Sequence, residues 1–327
     1  MPQDAIPRPF QTAVLMSTWN GKPWIDQQLQ SLLDQSWPHF RIRIRDDGST
    51  DGTQEILERW HRLSPERLTW YQGGSRLGPA GSFSELASQC TADYVLFCDQ
   101  DDVWHPDKVG ISQAEMARLE RRMGRNTPLL IHTDLTVCDE QLAVLDPSFW
   151  RHQALNPAKN QLNRLLLQNV VTGCTAMANR ALLQAAGPVP PDAIMHDWWL
   201  ALVASAFGHI QPIRMATVQY RQHGRNVCGA PRKALSWAYI RDKLRQPRGG
   251  RDGYQAALRP YFRQAEAFAR RFDGTRPGYR LTASQRKMLQ ALVTLPRESF
   301  LARRYRIFRY GFWKQEWFRN LGWLARA

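Results

Sequence analysis

Tyr94-Val95-Leu96-Phe97-Cys98-Asp99-Gln100-Asp101-Asp102 joins five apolar residues to three carboxylates within four positions. The apolar run has the length of a buried strand, and the carboxylates stand where it ends. Upstream, the pattern recurs. Ala13 to Met16 is a short apolar run that breaks into Ser17-Thr18-Trp19-Asn20-Gly21. Phe40 to Arg45 alternates, with Ile42 and Ile44 on one side and Arg41, Arg43 and Arg45 on the other. It runs into the turn cluster Asp46-Asp47-Gly48-Ser49-Thr50-Asp51-Gly52. Leu68 to Tyr71 reads as a third strand, followed by a Gly-rich stretch from Gly73 to Gly81. Between these runs, helical spacing predicts helices over Pro23 to Gln35, Thr53 to His61 and Phe83 to Ala87. Strands alternating with helices predict an α/β fold with a mostly parallel sheet. Ligands bind such sheets beyond the carboxyl ends of the strands. The acidic clusters at 46–47 and 99–102 fall at two such ends, so one site built from distant segments is expected. Downstream, Leu129 to Val137 reads as a strand, and Asn163 to Val171 and Trp198 to Phe207 as helices. Residues 245–253 read as a linker, and 254–272 and 281–295 as basic helices.

Composition narrows the class. The 327 residues are 43% hydrophobic and 22% charged, which excludes wholesale disorder. The longest nearly apolar stretch, Trp198 to Phe207, is far short of the ~18–20 residues that span a bilayer. Met1 to Pro9 has no apolar signal core. The five Cys (90, 98, 138, 174 and 228) include no C-x-x-C pair, which argues against a disulfide scaffold or zinc knuckle and fits a reducing cytosol. Charge divides the chain. Residues 1–230 carry 21 Lys+Arg against 23 Asp+Glu; residues 231–327 carry 23 against 6, a net +17. A near-neutral body with a basic tail implies an anionic partner for the tail.

In extended backbone, positions two apart face one side, so Asp99 and Asp101 can converge on a point. Three close carboxylates raise one another's pKa unless a cation sits among them. Magnesium or manganese, which take oxygen ligands and keep open positions, suit the cluster and a phosphate-bearing substrate. The plain alternative is a solvated acidic turn. A calcium loop is a second alternative: Asp47-x-Ser49-x-Asp51-Gly52 with Glu58 at the twelfth position nearly fits an EF-hand. The period-two element before Asp47 opposes it, as does Gln54 at the eighth position. A strand-end turn that meets a ligand through its Asp fits better, with Ser49 or Asp51 also able to cap the next helix.

These segments resemble family 2 glycosyltransferases. Ser17 to Gly21, Asp46 to Gly52, Leu77-Gly78-Pro79-Ala80-Gly81 and Phe97 to Trp104 occur in that family's order. Thr172-Gly173-Cys174, His196-Asp197-Trp198-Trp199 and Tyr220-Arg221-Gln222-His223-Gly224-Arg225-Asn226 are similar to later motifs of its bacterial rhamnosyltransferase-like branch. The resemblance implies a GT-A fold (Rossmann-like, mostly parallel sheet flanked by helices), a nucleotide-diphosphate sugar donor, a divalent metal and inversion at the anomeric carbon. It places a catalytic domain in residues 1–230, with a nucleotide-sugar half at about 12–105 and an acceptor half at about 106–230. Residues 231–327 then form a basic, aromatic-rich helical extension. By the same resemblance, Ser17, Thr18 and Trp19 line the nucleobase pocket, and Asp47 accepts from the base imide. Arg76 and Gly78 cross the nucleotide, although Arg76 stands where Asn is more usual. Asp99 sits by the ribose. Asp101 and Asp102 are the metal ligands, without a decision between them, and His223 approaches the metal or diphosphate. Asp197 is the general base, with His196 orienting its carboxylate; the alternative is that Asp197 only caps the helix that begins at Trp198. Trp198, Trp199 and Asp134 are acceptor-binding candidates, with core packing as the other reading of the two Trp.

In the tail, Leu301, Tyr305, Phe308 and Phe312 fall at helical spacing, flanked by Arg303, Arg304, Arg306 and Arg309. That composition suits a helix lying on an anionic membrane surface, and equally a helix that packs its aromatics on the body. The expectation is an enzyme of bacterial surface-polysaccharide synthesis, cytoplasmic and peripheral at the inner face of the cell membrane. Its donor would be a deoxythymidine- or uridine-diphosphate sugar, with rhamnose the sugar moved. Its acceptor would be a glycan or lipid-linked glycan. A sugar-phosphate nucleotidyltransferase would need a Gly-rich basic loop after the first strand, which Ser17 to Gly21 is not. A nucleic-acid-binding role for the tail is opposed by the acidic cluster, so no nucleic acid is expected.

Overall fold

The computed structural model describes residues 11–224, 251–274 and 278–316, with Asn320, Trp323 and Leu324 beyond them; over 251–257 it describes backbone alone. Four parallel strands, β1 (Thr12–Thr18), β2 (Arg41–Asp46), β3 (Leu68–Gln72) and β4 (Tyr94–Cys98), lie in the order β3-β2-β1-β4. The crossovers are α1 (Ile25–Leu33), α2 (Thr53–Leu63) and α3 (Gly78–Gln89). Past β4 the chain forms β5 (Val103–Trp104), α4 (Lys108–Met123), β6 (Leu129–Cys138), β7 (Val144–Asp146), α5 (Phe149–His152) and α6 (Leu162–Leu165). A 3-10 turn at Gly173–Thr175 leads into β8 (Ala176–Asn179), α7 (Arg180–Ala186), α8 (His196–Phe207) and β9 (His209–Arg221). The sheet continues from β4 through antiparallel β8 to β6, then parallel β9, with β5 at the edge and β7 on β6.

Period-two alternation explains why these strands are apolar throughout. Ala13, Leu15, Val95 and Phe97 face one core with Phe83 and Leu86; Val14, Met16, Leu96 and Ile44 face another with Leu29 and Leu57. The sheet is thus covered on both faces, and its ligand-accessible edge is the carboxyl end.

The C-terminal region supplies α9 (Arg251–Arg271), α10 (Ala283–Val293) and α11 (Phe300–Tyr310). Phe268, Phe272, Leu289, Leu292, Ile307, Phe312 and Trp323 join the same core as Trp199 and Leu202 of α8. The extension therefore packs on the body through part of its apolar surface.

Two expectations change. Residues 163–171 do not form a helix beyond α6, because the Asn169 side chain bonds both the N–H and the C=O of Val171 and so replaces helical partners. The linker expected at 245–253 gives way to α9 at Arg251, and its residues 245–250 lie outside the described residues. Residues 225–250, with Arg225 and Asn226 of the last motif, also lie outside them. Helix α4 and the 13-residue β9 had no counterpart in the sequence reading.

Candidate functional site

The loops after β1, β2 and β4 and the start of α3 enclose a cleft of about 620 Å³ at the carboxyl edge of the parallel strands. Ser17, Trp19, Asp47, Arg76, Gly78, Asp99, Asp101 and His223 all line it. Thr18 does not. It is buried, and its hydroxyl donates to Gln100 Oε1 at 2.5 Å. Gln100, to which the sequence reading gave no role, is the clasp of this wall. Its Oε1 also accepts from the Trp19 amide at 2.8 Å, and its Nε2 donates to the Trp19 carbonyl at 3.1 Å. A Cβ at Gly21 would collide with that side-chain amide, which is why the loop carries glycine there.

The second wall is built on a buried arginine. Arg45 on β2 bonds Asp47, Ser82 Oγ at 2.9 Å and the Ser75 carbonyl at 2.8 Å, and pairs with Glu85 at 3.2 Å. Asp47 in turn accepts from the amides of Leu77 and Gly78, both at 2.8 Å. Burial pushes the Asp47 pKa up, but the bonds from Leu77, Arg45 and Gly78 outweigh it and hold the group below the ordinary carboxylate value. Asp47 thus anchors the segment that crosses the cleft while lining it. At the rim, the Arg76 guanidinium stacks 3.7 Å over the Trp19 ring.

The calcium alternative fails here. Asp47, its first ligand, is spent on Arg45 and on the amides of Leu77 and Gly78, Asp51 on the amides of Thr53 and Lys22, and the preceding element is a strand.

The carboxylates after β4 divide between two faces. Asp101 turns to the cleft, where its Oδ2 lies 2.8 Å from His223 Nε2. The His223 ring stacks on Trp24, with centroids 3.7 Å apart and planes at 15°. Asp102 turns inward, is fully buried, and accepts from the Arg221 amide at 3.2 Å. Arg221 also donates from Nε to the Asp101 carbonyl at 2.9 Å and from Nη2 to Gln27 Oε1 at 2.5 Å, fastening the acidic loop to α1. Burial pushes Asp99 up to about 7, assisted by the charges of Asp101 and Asp197. Burial also raises Asp102 well above its ordinary value, with Asp101 and Asp99 adding to it. Beneath lies Lys108, buried and with no hydrogen-bond partner among the described residues, its ammonium 4.6 Å from the Trp104 ring. Burial pushes Lys108 down to about 8.

Two ligand sets for a cation can be compared. Asp99, Asp102 and Cys174 present ligand atoms within 4.8 Å of one another, but the set includes a buried thiol pushed well up by burial, a poor partner for a hard cation. Asp101 and His223 open to the cleft, and their 2.8 Å approach suits two adjacent ligands of one ion.

Asp197 sits in the first turn of α8 and is nearly buried. It accepts from the Trp198 amide at 2.6 Å and from the Gly173 amide, so it serves the helix start as well as facing the acidic cluster. Burial pushes it up to about 7 against those bonds. Gly173 lies so close that a Cβ there would stand 3.0 Å from His196 Nε2 and 3.7 Å from Asp197 Cβ. This contact explains why the Thr172-Gly173-Cys174 and His196-Asp197 segments go together. His196 does not orient the carboxylate. Its ring packs between Phe83 and Phe97, at 4.2 and 5.0 Å, and neither nitrogen has a partner among the described residues. Burial lowers it to about 3, so the ring is neutral.

The acceptor expectations change most. Trp199 is fully buried against Phe268 and Phe272 and presents no face to an acceptor. Trp198 donates to the Leu165 carbonyl at 2.5 Å and packs edge-on against Tyr261 of α9. Asp134 accepts from Ser148 Oγ at 2.5 Å and from the amides of Leu135 and Trp150, which fastens the start of α5 to β6. It borders a separate hollow of about 520 Å³ with Arg214 and Asn156.

Comparison with known proteins agrees with this geometry. Residues 13–123 match the model of glycosyl transferase family 2. The chain is 28% identical over 229 residues to the dTDP-rhamnosyl transferase RfbG of Shigella flexneri, which covers 66% of this chain and 74% of that one. It is also 28% identical over 147 residues to the amylovoran biosynthesis glycosyltransferase AmsB of Erwinia amylovora, 44% of this chain and 46% of that one. Among solved structures, S. aureus TarS in complex with UDP-GlcNAc superposes with a TM-score of 0.57 at 16% identity, over 86% of this chain and 71% of that one. The mannosyltransferase PcManGT from Pyrobaculum calidifontis, in complex with GDP-Man and Mn2+, gives 0.50 at 17% identity, over 90% and 72%. Residues 13–123, which hold the β3-β2-β1-β4 sheet and the acidic loop at its strand ends, thus match glycosyl transferase family 2, and the chain has the GT-A fold.

Proposed function

We propose that this glycosyltransferase moves rhamnose, with inversion, from a deoxythymidine- or uridine-diphosphate donor to a glycan or lipid-linked glycan of a bacterial surface polysaccharide. The observation that carries the reading is the convergence of Asp99, Asp101 and His223 in one cleft, with the buried Asp197 close enough for its charge to act on Asp99. Support for the sugar comes from the similarity to RfbG. The nucleobase enters beside Trp19, held by the Ser17–Trp19 loop and Asp47, and Arg76 leaves the Trp19 face to meet the diphosphate. Asp99 takes the ribose. Asp101 and His223 hold a manganese or magnesium ion, which supplies positive charge to the leaving diphosphate when bound. Asp197 removes the proton of the acceptor hydroxyl as that oxygen bonds to the anomeric carbon and the bond to the diphosphate breaks on the opposite face. A group held near pKa 7 is poised for this at neutral pH.

Thermal shift across a panel of nucleotide sugars, with and without manganese, tests the reading. A manganese-dependent shift for one donor, lost in Asp101→Ala and kept in Asp197→Ala, is expected. No shift for any donor with folded protein would overturn it.

A further inference from the structure

α11 has two faces that differ in kind. One is docked: Arg303 and Ile307 are buried, and Asn163 donates to the carbonyls of Tyr310 and Gly311 just beyond the helix. The other is open. Phe300, Leu301, Tyr305 and Phe308 are 56%, 76%, 68% and 63% exposed, the largest cluster of exposed apolar side chains on any one element among the described residues. At 100° per residue these four fall within one half of the helix circumference. Phe312, the fourth member of the expected stripe, is buried instead, and Phe300 takes its place on the open face.

Basic groups border that face. The helix holds four Arg and no acidic residue. Arg306 is committed to Glu298 at 2.6 Å, and Arg303 to the docked side. Arg304 lies over the Phe300 ring at 3.1 Å and is committed to the Phe300 and Leu324 carbonyls, at 3.0 and 2.5 Å, whereas Arg309 is exposed at the far end. Arg297, just before the helix, is exposed as well. A row of aromatic and aliphatic side chains between guanidinium groups is complementary to a surface that is apolar below and anionic at its top. Eleven residues span about 16 Å, and no described helix is long and apolar enough to cross a membrane. The helix can therefore lie on such a surface without spanning it.

We propose that this face of α11 docks the enzyme on an anionic phospholipid surface, with Phe300, Leu301, Tyr305 and Phe308 among the headgroups and Arg297 and Arg309 on phosphates. The placement of the helix gives the docking a direction. α11 leads to Gln315, whose side chain bonds the Asn156 amide and the Lys159 carbonyl, and whose amide bonds Gln168. It thus rides on the 156–168 segment of the acceptor half. Docking there brings an acceptor borne on the same surface to the acceptor half and leaves the nucleotide side open to solution. This last step rests on the proposed function; the lipid contact does not.

Co-sedimentation of the full chain with vesicles tests it. Phosphatidylcholine vesicles are compared with vesicles containing about 30% phosphatidylglycerol, for wild type, Leu301→Asp, Phe308→Asp and Arg309→Glu. These side chains are exposed, so circular dichroism and melting should be unchanged. Wild type is expected to partition at least tenfold more onto the anionic vesicles, and each variant to lose most of that gain. Donor-dependent thermal shift should be retained in every variant, which separates failure of the docking from failure of the cleft. Equal sedimentation of wild type and variants would overturn the proposal. So would equal binding to neutral vesicles. Loss of a dimer rather than of vesicle binding in Leu301→Asp, seen by light scattering, would assign the face to a second copy. Binding of this face to single-stranded nucleic acid in place of vesicles would assign it there.

Discussion

The two walls of the cleft and its floor use polar groups in opposite ways. In the walls, polar groups of one loop are answered by a group from another. Gln100 binds the Trp19 backbone, Asp47 binds Leu77 and Gly78, and Arg45 binds Ser82 and Ser75. On the floor, Asp102, Asp197 and Lys108 are buried and Asp99 is half-buried, and desolvation moves each away from its ordinary pKa. Satisfied groups make a rigid cradle that determines affinity. Desolvated groups cost stability and are the ones with chemistry left to perform.

Asp197→Asn breaks this contrast most sharply. Removing the proposed general base is expected to cost roughly 10²–10⁴-fold in kcat, while the donor-induced thermal shift is expected to survive. Wild-type kcat should rise with pH through about 7, because the carboxylate must lose its proton to act. Stability should move the other way. A folded pKa raised above the ordinary value means that the native state binds the proton more tightly, so this contribution is present at low pH and is lost as pH rises toward 7. Asp197→Asn should therefore melt ~2 °C or more above wild type at pH 8. A variant that is slower and also less stable at pH 8 would show that Asp197 serves mainly to hold the start of α8.

The second contrast lies within the acidic loop. Asp101→Asn removes a group that faces the cleft beside His223. Loss of an outer partner of a metal ligand costs about 10–100-fold in affinity, so loss of Asp101, the proposed ligand, should cost roughly as much or more. Asp102→Asn should leave manganese affinity within a few-fold of wild type, measured by calorimetry. The opposite ranking would move the cation to the Asp99, Asp102 and Cys174 side.

Gly173→Ala tests whether floor and walls are separable. The added methyl meets the His196 ring at 3.0 Å, and the ring is confined by Phe83 and Phe97. Overpacking of this kind costs about 1–3 kcal/mol. Because the Gly173 amide also bonds Asp197, kcat should fall while donor affinity is kept. A fall in donor affinity alone would place Gly173 with the walls.

Much of the architecture was legible because period-two runs and helical stripes are local signals. β4 was read to the residue, and β1, β2 and β3 within about two. The acidic loop and Asp197 also announced themselves through residue type and position. The rest required long-range geometry. Asp101 and Asp102 are adjacent and identical in type, and only the Arg221 amide behind one and His223 before the other separate them. Trp198 and Trp199 look like a sugar platform, yet α9 covers them, and its Phe268 lies some seventy positions away. Helix α4 hid because its buried stripe includes Lys108, Ser112 and Glu120 beside Val109, Met116 and Leu119. Gln100 was passed over because a neutral amide between acids carries no charge signal.

That amide supplies the mildest test. Gln100→Ala removes the acceptor shared by the Thr18 hydroxyl and the Trp19 amide, and leaves the Gly21 loop without the group it packs against. Each lost bond is worth about 1 kcal/mol net, and the Thr18 hydroxyl is buried. The Trp19 loop should loosen, raising the donor KM by roughly tenfold, with kcat nearly unchanged because no floor group has moved. Glu at the same position keeps the accepting oxygen but loses the donor to the Trp19 carbonyl, and adds a fourth carboxyl to the acidic run. If the clasp acts by geometry, Gln100→Glu recovers part of the donor affinity at high manganese, and Gln100→Ala recovers none. A fall in kcat for Gln100→Ala at saturating donor would mean that wall and floor move as one body and that the contrast between them does not hold.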